Sequence, residues 1–447
     1  MRRNASILML VMVVSACGAR HHTPAPASAA PTPTGAGAAG SPARQSDPGV
    51  SADEILIGSS ATLSGPTGFL GDELTGAVDA YFETVNARGG IGGRKLKLIT
   101  YDDGGDPTKL LTNFRRLVEQ DHVVALVTGF GDVALDYVAR QKVPTIVFGV
   151  TPSSFASKYP TVYPVVGNAL LWTQEFIAGL KSKGLFKRGM KVGMIYDNTL
   201  IDISPYLPEL KQSWENAGAK VVSVDPFSLS TGSCDSLVLK YRDLGVDWWD
   251  FQSAAWFTCV QSAQRQDWKP TIGWGNWPAS VPTTATIAGP LAAGIWAGSN
   301  GDQPNGAPRR KTAAHVEFLT ALRRYRPALT SSQHLDSPAV LGYWAAAKLL
   351  VAALDAQGPT ITKSGINRWI QGVQNFDTGI TPPVISMAPN CKTGSEVVWL
   401  APWRWDDKKK EAVRTPATGY FTSPQKAQFG GKCFLTKISD RILSGRS

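Results

Sequence analysis

The sequence predicts an α/β protein made of two units, each a parallel sheet covered by helices on both faces. Short apolar runs of strand length alternate with segments whose apolar residues recur at helical spacing, and the connections between them are short. Such alternation is typical of doubly wound parallel sheets. It occurs twice, over about residues 55–165 and 185–290, and a chain of 447 residues is long enough for more than one domain.

The first unit begins with a buried strand at Ile55–Gly58 and a helix from Glu73 to Ala87 that stops at a glycine pair. Asp106 followed by Pro107 predicts the capped start of a second helix. The remaining elements of this unit are strands at 95–101, 123–128 and 145–148 and a helix at 133–140.

The second unit repeats the pattern with four predicted strands and three predicted helices. The strands are 191–196, 220–224, 248–253 and 271–274, and the helices are 205–217, 237–244 and 258–265. Two further helices, 311–325 and 337–354, follow the unit, and the tail from 376 to 447 predicts short strands and loops.

The N-terminus has the features of a secretion signal. Arg2 and Arg3 precede an apolar run from Ile7 to Val14, which is too short to span a bilayer. Small residues then lead to Cys17, which resembles the lipobox of bacterial lipoproteins. We therefore expect a signal peptide at 1–16 and a lipid on Cys17, on the extracytoplasmic face of the cell membrane; the alternative is an ordinary secretory signal beside a chance cysteine.

Residues 17–52 are rich in Ala, Pro, Gly, Ser and Thr, a composition that predicts a disordered tether. Without Cys17, four cysteines remain, an even number that suits an oxidising compartment. Proximity favours the pairs Cys234–Cys259 and Cys391–Cys433, although two other pairings are open.

Several function classes are excluded or weakened. The formal charge of +10 is modest for this length, and no Lys/Arg stripe interleaved with aromatics predicts nucleic-acid binding. Gly129–Ala134 fits a dinucleotide fingerprint by letters, but no acidic residue occurs between Asp136 and Glu175 to hold a ribose. No histidine outside the tether has a metal-ligand partner at helical spacing, so we expect no metal, no cofactor and no enzyme.

Several motifs in the first unit together resemble a known family. They are Ile57-Gly58 with Thr62-Leu63-Ser64-Gly65-Pro66, the run from Val85 to Lys95, Tyr101-Asp102-Asp103 with Asp106-Pro107, Leu117-Val118, Val127 with Gly129, and Val143-Pro144 with Ile146. In this order the chain is similar to the type I periplasmic binding proteins of the branched-chain amino acid and amide transport branch. The resemblance is strong over 54–165, topological over 166–375 and weak beyond.

The resemblance implies two Rossmann-like lobes joined by three crossovers. Lobe one would comprise 53–165 and 291–375, and lobe two 166–290 and 376–447. A small molecule would bind in the cleft between lobes that close by hinge bending. We expect a monomer that works with the permease and ATPase subunits of an ABC transporter.

Ligands of open parallel sheets bind outside the carboxyl ends of the strands, which points to particular loops. The candidate ligand residues there are Ser64, Thr67, Phe69, Phe130, Gly131, Asp132, Gly149, Val150 and Thr151 in lobe one, and Tyr196, Trp256, Trp274, Asn276 and Trp277 in lobe two.

The resemblance aligns Thr151 with a hydroxyl that grips the ligand carboxylate; the alternative role is a helix cap. Asp132 stands where the family has a second hydroxyl, and it would suit an amine or amide donor or cap the helix from 133. Amino acid binders also place a carboxylate near 275 or 276, whereas this chain has Gly275 and Asn276. The three tryptophans could contact an aromatic or apolar ligand, or pack in the core.

We therefore expect a solute receptor for an amino acid-like, amide or aromatic compound. A sensor of the same fold, signalling to a membrane partner without transport, remains open.

Overall fold

Strands and helices alternate in the computed structural model of the chain as the apolar patterns predict. The structure describes residues 45–65, 68–129, 132–149, 158–167, 169–197, 203–227, 232–299, 312–381, 384–389, 391–392, 394, 397–414, 418 and 421–422. The chain divides into two units, residues 1–44 and residues 45–447. The predicted signal peptide, Cys17 and most of the predicted tether lie outside the described residues.

The first sheet has five parallel strands in the order β2-β1-β3-β4-β5. Its strands are β1 (Glu54–Ala61), β2 (Lys95–Asp102), β3 (Ala125–Thr128), β4 (Thr145–Val147) and β5 (Val162–Pro164). Neighbouring residues of β3 point to opposite faces: Val127 packs in one buried cluster and Leu126 in another. Both faces are therefore covered, as a doubly wound sheet requires.

The helices of this lobe divide between the two faces. They are α1 (Phe69–Asn86), α2 (Pro107–Arg115), α3 (Asp132–Arg140), α9 (Ala313–Tyr325), α10 (Ser332–Leu335), α11 (Pro338–Asp355) and α12 (Lys363–Gln371). Asp106 caps α2 as predicted, its carboxylate accepting from the amides of Thr108 and Lys109. Among the described helices, only α11 is long and apolar enough to cross a membrane, but 78% of it is buried inside the protein, as expected for a core helix.

The second sheet has eight strands, in which β15-β14-β10-β9-β8-β6-β7 are consecutive neighbours and β16 pairs with β14. The pairs from β10 to β7 are parallel as predicted. Strand β14 pairs antiparallel with β10, β15 and β16, so this end of the sheet differs from the predicted parallel arrangement. Its strands are β6 (Lys191–Tyr196), β7 (Lys220–Pro226), β8 (Trp248–Gln252), β9 (Gly273–Gly275), β10 (Trp296–Ser299), β14 (Val397–Asp406), β15 (Glu411–Arg414) and β16 (Phe421–Thr422). The helices beside it are α4 (Ala169–Ser182), α5 (Leu207–Ala217), α6 (Asp235–Leu244), α7 (Trp256–Arg265) and α8 (Pro282–Ala288).

Two segments belong to a different lobe from the one that the predicted boundaries assigned to them. Strand β10 pairs with β9 and β14 in the second sheet, although residues from 291 were assigned to lobe one. A small antiparallel sheet of β11 (Gln374–Phe376), β12 (Val384–Ala388) and β13 (Cys391–Lys392) packs beside α12, although residues from 376 were assigned to lobe two. Both cases depend on pairing between distant segments, which a local pattern does not reveal.

The chain passes between the two sheets three times, after β5, after β10 and after β13. The third passage touches the first: at Gly394, whose φ is +61°, an added Cβ would lie 2.3 Å from the carbonyl oxygen of Val166. Glycine is therefore required where these two connecting segments meet.

A disulfide joins Cys234 to Cys259, with 4.8 Å between their Cα atoms. It ties the residue before α6 to the body of α7, and both cysteines are fully buried. The side chains of the other predicted pair, Cys391 and Cys433, lie outside what the structure describes.

Candidate functional site

The carboxyl ends of the first sheet lead into the loops that the sequence assigned to a ligand. Ser64, after β1, is exposed and hydrogen-bonds to Asp102 at the end of β2, which lowers the pKa of that carboxyl. Phe69 is half-buried at the start of α1, and Gly149 is buried after β4. These residues lie on one edge of the sheet.

Five candidate residues of the first lobe lie outside the described residues: Thr67, Phe130, Gly131, Val150 and Thr151. Asp132 begins α3, but its side chain is not described, so its roles as a ligand contact and as a cap both stay predictions.

The tryptophans of the second lobe take different positions. Trp256 is fully buried and stacks on Phe251, with ring centroids 5.8 Å apart. Trp274 is half-buried and lies 6.4 Å from the ring of Trp249. Both rings pack with one buried apolar cluster of the lobe, which agrees with the core-packing alternative for these tryptophans. The side chain of Trp277 is not described.

Asn276 belongs to a buried network rather than to a free surface. Its amide donates to Oδ1 of Asp250, while the indole of Trp214 and the amide of Gln252 donate to Oδ2 at 3.0 and 3.1 Å. Burial raises the pKa of Asp250 to about 6, and the three donors act in the opposite direction. In this structure the Asn276 amide thus stabilises a buried carboxyl at the ligand edge of the sheet.

Tyr196 ends β6 and is half-buried, and the next residue, Asp197, is buried. The hydroxyl of Ser253, which follows β8, lies 3.5 Å from a carboxylate oxygen of Asp197. The ends of β6 and β8 therefore place polar groups side by side, where they could accept or donate hydrogen bonds to a small molecule.

A second buried carboxylate lies where the lobes meet. Glu73, in the second turn of α1, is fully buried and accepts from Ser337 of the first lobe at 2.8 Å and from Thr283 of the second at 3.1 Å. Burial raises the pKa of Glu73 to about 7, while the two hydroxyls lower it. Since α1 follows the carboxyl end of β1 and α8 follows that of β9, this contact brings the ligand-side edges of both sheets together.

Glu73 was not among the predicted site residues, although the sequence contains a signal for it. Glu73 is in phase with Ala77, Ala80 and Tyr81, the buried stripe of α1, so an acidic residue interrupts an apolar face. A charged residue at such a position needs partners, which here come from segments more than 200 residues away.

The described residues contain no group of three or more histidine, cysteine or acidic side chains that could hold a metal ion. The polar groups at the strand ends are instead hydroxyls, amides and buried carboxyls, which suit hydrogen bonding to an organic molecule.

Comparison with known proteins decides the family. The sequence model described as "Periplasmic binding protein" matches residues 54–410, most of the chain. The chain belongs to the periplasmic binding protein family. This binding protein falls in the type I, branched-chain amino acid group, so the predicted resemblance and fold class are confirmed.

A relative of this binding protein is the Leu/Ile/Val-binding protein homolog 7 of Brucella abortus (strain 2308). The two are 25% identical over 260 residues, which is 55% of this chain and 64% of that protein. The alignment thus spans less than two thirds of the relative's length. An amino acid binding protein of Pseudomonas aeruginosa is 32% identical over 77 residues, 17% of this chain and 21% of that protein.

Solved structures share the fold over most of the chain. A fatty acid ABC transporter substrate-binding protein from Thermomonospora curvata has a TM-score of 0.71 at 23% identity, covering 85% of this chain and 95% of that one. A solute binding protein from Rhodopseudomonas palustris HaA2 in complex with p-hydroxybenzoic acid has a TM-score of 0.66 at 16% identity, covering 83% of this chain and 98% of that one. A branched chain amino acid ABC transporter from Thermus thermophilus with bound valine has a TM-score of 0.67 at 17% identity, covering 83% of this chain and 98% of that one.

Proposed function

We propose that this binding protein is the solute receptor of an ABC-type uptake system. It takes up one small molecule between its lobes outside the cytoplasm and delivers it to a permease driven by an ATPase. The observation that carries the proposal is the meeting of the two sheets' ligand-side edges at Glu73 and Thr283, within a family of binding proteins. A cleft between two lobes is a common site for small ligands.

The ligand is a small molecule with an apolar body, either amino acid-like, an amide or an aromatic compound. Similar structures carry valine or p-hydroxybenzoic acid, which both join an apolar body to a carboxylate. Here the position near 276, where amino acid binders place a carboxylate for the ligand ammonium, holds an amide bonded to Asp250. This arrangement favours a ligand without an ammonium group, such as an aromatic acid.

The experiment is uptake by cells in which the gene is deleted and then restored. Radiolabelled 4-hydroxybenzoate, valine and a fatty acid serve as probes, and we expect loss of uptake of one of them and recovery on complementation. Complementation with Thr151→Ala should restore less uptake than Thr112→Ala, an exposed threonine whose hydroxyl bonds only within α2. Unchanged uptake of every probe, together with an altered transcriptional response to one of them, would favour the sensor instead.

We also propose that Cys17 carries a lipid that holds the protein on the extracytoplasmic face of the membrane. Intact-mass analysis of the mature protein should show acyl chains beginning at Cys17, and Cys17→Ser should release the protein from the membrane fraction. A mature protein without lipid at Cys17 would contradict this assignment.

A further inference from the structure

A polar cluster that is mostly buried joins the two lobes, and Glu73 is its centre. The Oε2 atom of Glu73 accepts from Ser337, which precedes α11, and Oε1 accepts from Thr283 in the first turn of α8. His334 lies near the same carboxylate oxygen as Thr283, with its Nε2 atom 3.9 Å from Oε1 of Glu73. The carboxyl of Glu73 thus contacts both lobes.

The charges around Glu73 leave an ionised carboxylate poorly compensated. His334 is the only basic side chain within 4 Å of it among the described residues, and burial lowers the pKa of that imidazole, which disfavours its charged form. Tyr343 faces the carboxyl from α11, where burial and the charge of Glu73 both raise the pKa of the phenol. Asp72, the neighbour of Glu73 on α1, acts electrostatically on His334.

Charged side chains of the second lobe that lie near the contact between the lobes interact with groups other than Glu73. The hydroxyl of Ser332 donates to the carboxylate of Glu411, lying 2.9 and 2.8 Å from its two oxygens, and Glu411 also pairs with Lys409 at 3.5 Å. The guanidinium of Arg414 lies 4.7 Å from the ring centres of both Trp399 and Trp403 and donates to the backbone oxygen of Asp336. Neither Lys409 nor Arg414 forms an ion pair with Glu73.

We propose that Glu73 is the positioning residue that holds the second lobe against the first when the cleft closes, and that closure is coupled to uptake of a proton by its carboxyl. The inference rests on the proposed function, because it requires lobes that open and close around a ligand. A protonated carboxyl donates to one hydroxyl and accepts from the other, so it satisfies both Ser337 and Thr283 without burying a charge.

The direction of the pH dependence follows from linkage. In the contact between lobes burial raises the pKa of Glu73 from 4.5 to about 7, whereas in an open cleft water reaches the carboxyl and the pKa returns toward its ordinary value. Closing then takes up a proton between about pH 4.5 and pH 7. The closed arrangement is therefore most favoured at low pH, weakens as pH rises through this window, and changes little above it.

The test measures the distance between the lobes in the full chain without ligand. Spin-labelled noncanonical amino acids replace two exposed residues, Arg324 on α9 and Lys408 between β14 and β15. Double electron–electron resonance then measures the distance between the two labels, which gives the fraction of closed molecules from pH 5 to pH 8. In the parent we expect the closed-to-open ratio to fall with pH, by at most about 10-fold per unit for one proton.

Three variants separate positioning from plain packing. Glu73→Gln keeps the shape and both hydrogen bonds without titrating, so the fall of the closed-to-open ratio with pH should disappear. Any dependence left by His334, whose pKa burial lowers, would have the opposite sign. Thr283→Val should lower the closed fraction at every pH, and Thr283→Ser should restore it. Glu83→Gln, an exposed glutamate on the same helix, is the matched control and should behave as the parent.

Parent-like pH dependence in Glu73→Gln, a flat profile in the parent, or an unchanged closed fraction in Thr283→Val would overturn the proposal. These outcomes are distinct from failure of the proposed function. If no probe is taken up but the distances depend on Glu73, only the function fails. If a probe is bound and taken up while Glu73→Gln behaves as the parent, only this inference fails.

Discussion

Asn276 illustrates how the role of a single residue depends on its partners rather than on its loop. The sequence places Asn276 at the carboxyl end of β9 and hence at the ligand edge. Its side chain is nevertheless fully buried and donates to Asp250, 26 positions earlier in the chain. The two strands could be predicted from periodicity, but this bond depends on the register of β8 beside β9, which the sequence does not reveal.

Replacing Asn276 with alanine should destabilise the fold by about 1–3 kcal/mol, because the buried Asp250 loses one of its three donors. Urea unfolding measures this free energy. Gln264→Ala, an exposed amide on α7, is the control and should change it by less than about 0.5 kcal/mol. A parent-like midpoint together with lost ligand binding would return Asn276 to the ligand.

Lys392 is a second residue whose role only the structure reveals. It is 2% exposed, and its ammonium donates to the carbonyls of Tyr159 and Val162, the latter at 2.8 Å. Burial lowers the pKa of Lys392 to about 7. The contact ties β13 to the segment around β5, next to the first and third passages between the sheets.

The pKa of Lys392 predicts a pH-dependent stability. Because the unfolded chain binds a proton at this lysine up to about pH 10.5 and the folded chain only to about 7, stability rises with pH in that window. Its slope is at most about 1.4 kcal/mol per pH unit for one proton. Urea midpoints at pH 7, 8 and 9 should rise less in Lys392→Met than in the parent. The exposed control Lys410→Met should keep the parent's slope, and equal slopes in all three proteins would contradict the assignment.

At the scale of elements, periodicity predicted what is local, and distant pairing supplied the rest. Strands β1 to β4 of the first sheet and helices α1, α2 and α11 follow from apolar spacing and, for α2, from the Asp106 cap. The three-residue strand β5 was not predicted. Strand β10 was missed because its partner β14 lies about a hundred residues away, with Ser299 opposite Trp399. Short strands were predicted after residue 376, but not their pairing into the small sheet from β11 to β13.

Helix α11 packs so closely on the β4 loop that a methyl group should disturb it. A Cβ on Gly342 would lie 2.5 Å from two ring atoms of Phe148, whose ring also packs on Tyr343. Gly342→Ala should destabilise the protein by about 1–3 kcal/mol through overpacking.

Gly372→Ala is the matched control for Gly342→Ala. Its φ of −84° suits any residue, and the nearest atom to an added Cβ is 3.4 Å away, so thermal unfolding should shift little. Equal shifts in both variants would show that the contact between α11 and Phe148 does not limit stability.

At the scale of the whole molecule, the fold was predictable and the ligand was not. The parallel strands of both sheets and the helices beside them follow from the alternation, and the three passages follow from the resemblance carried by the motifs between Ile57 and Ile146. The antiparallel pairs of β14 in the second sheet do not follow from either. The ligand depends on a few side chains in the loops at the strand ends. Proteins of this fold carry either valine or p-hydroxybenzoic acid, so the scaffold leaves the choice to those loops.

We propose that the two lobes hold one small organic molecule, and native mass spectrometry of the purified full chain tests this directly. We predict a complex that exceeds the mass of the chain by a single small molecule and loses it on denaturation, with the emptied protein rebinding that molecule at one site by calorimetry. A chain that carries no bound molecule, and gives no binding heat with valine, 4-hydroxybenzoate or a fatty acid, would contradict the claim.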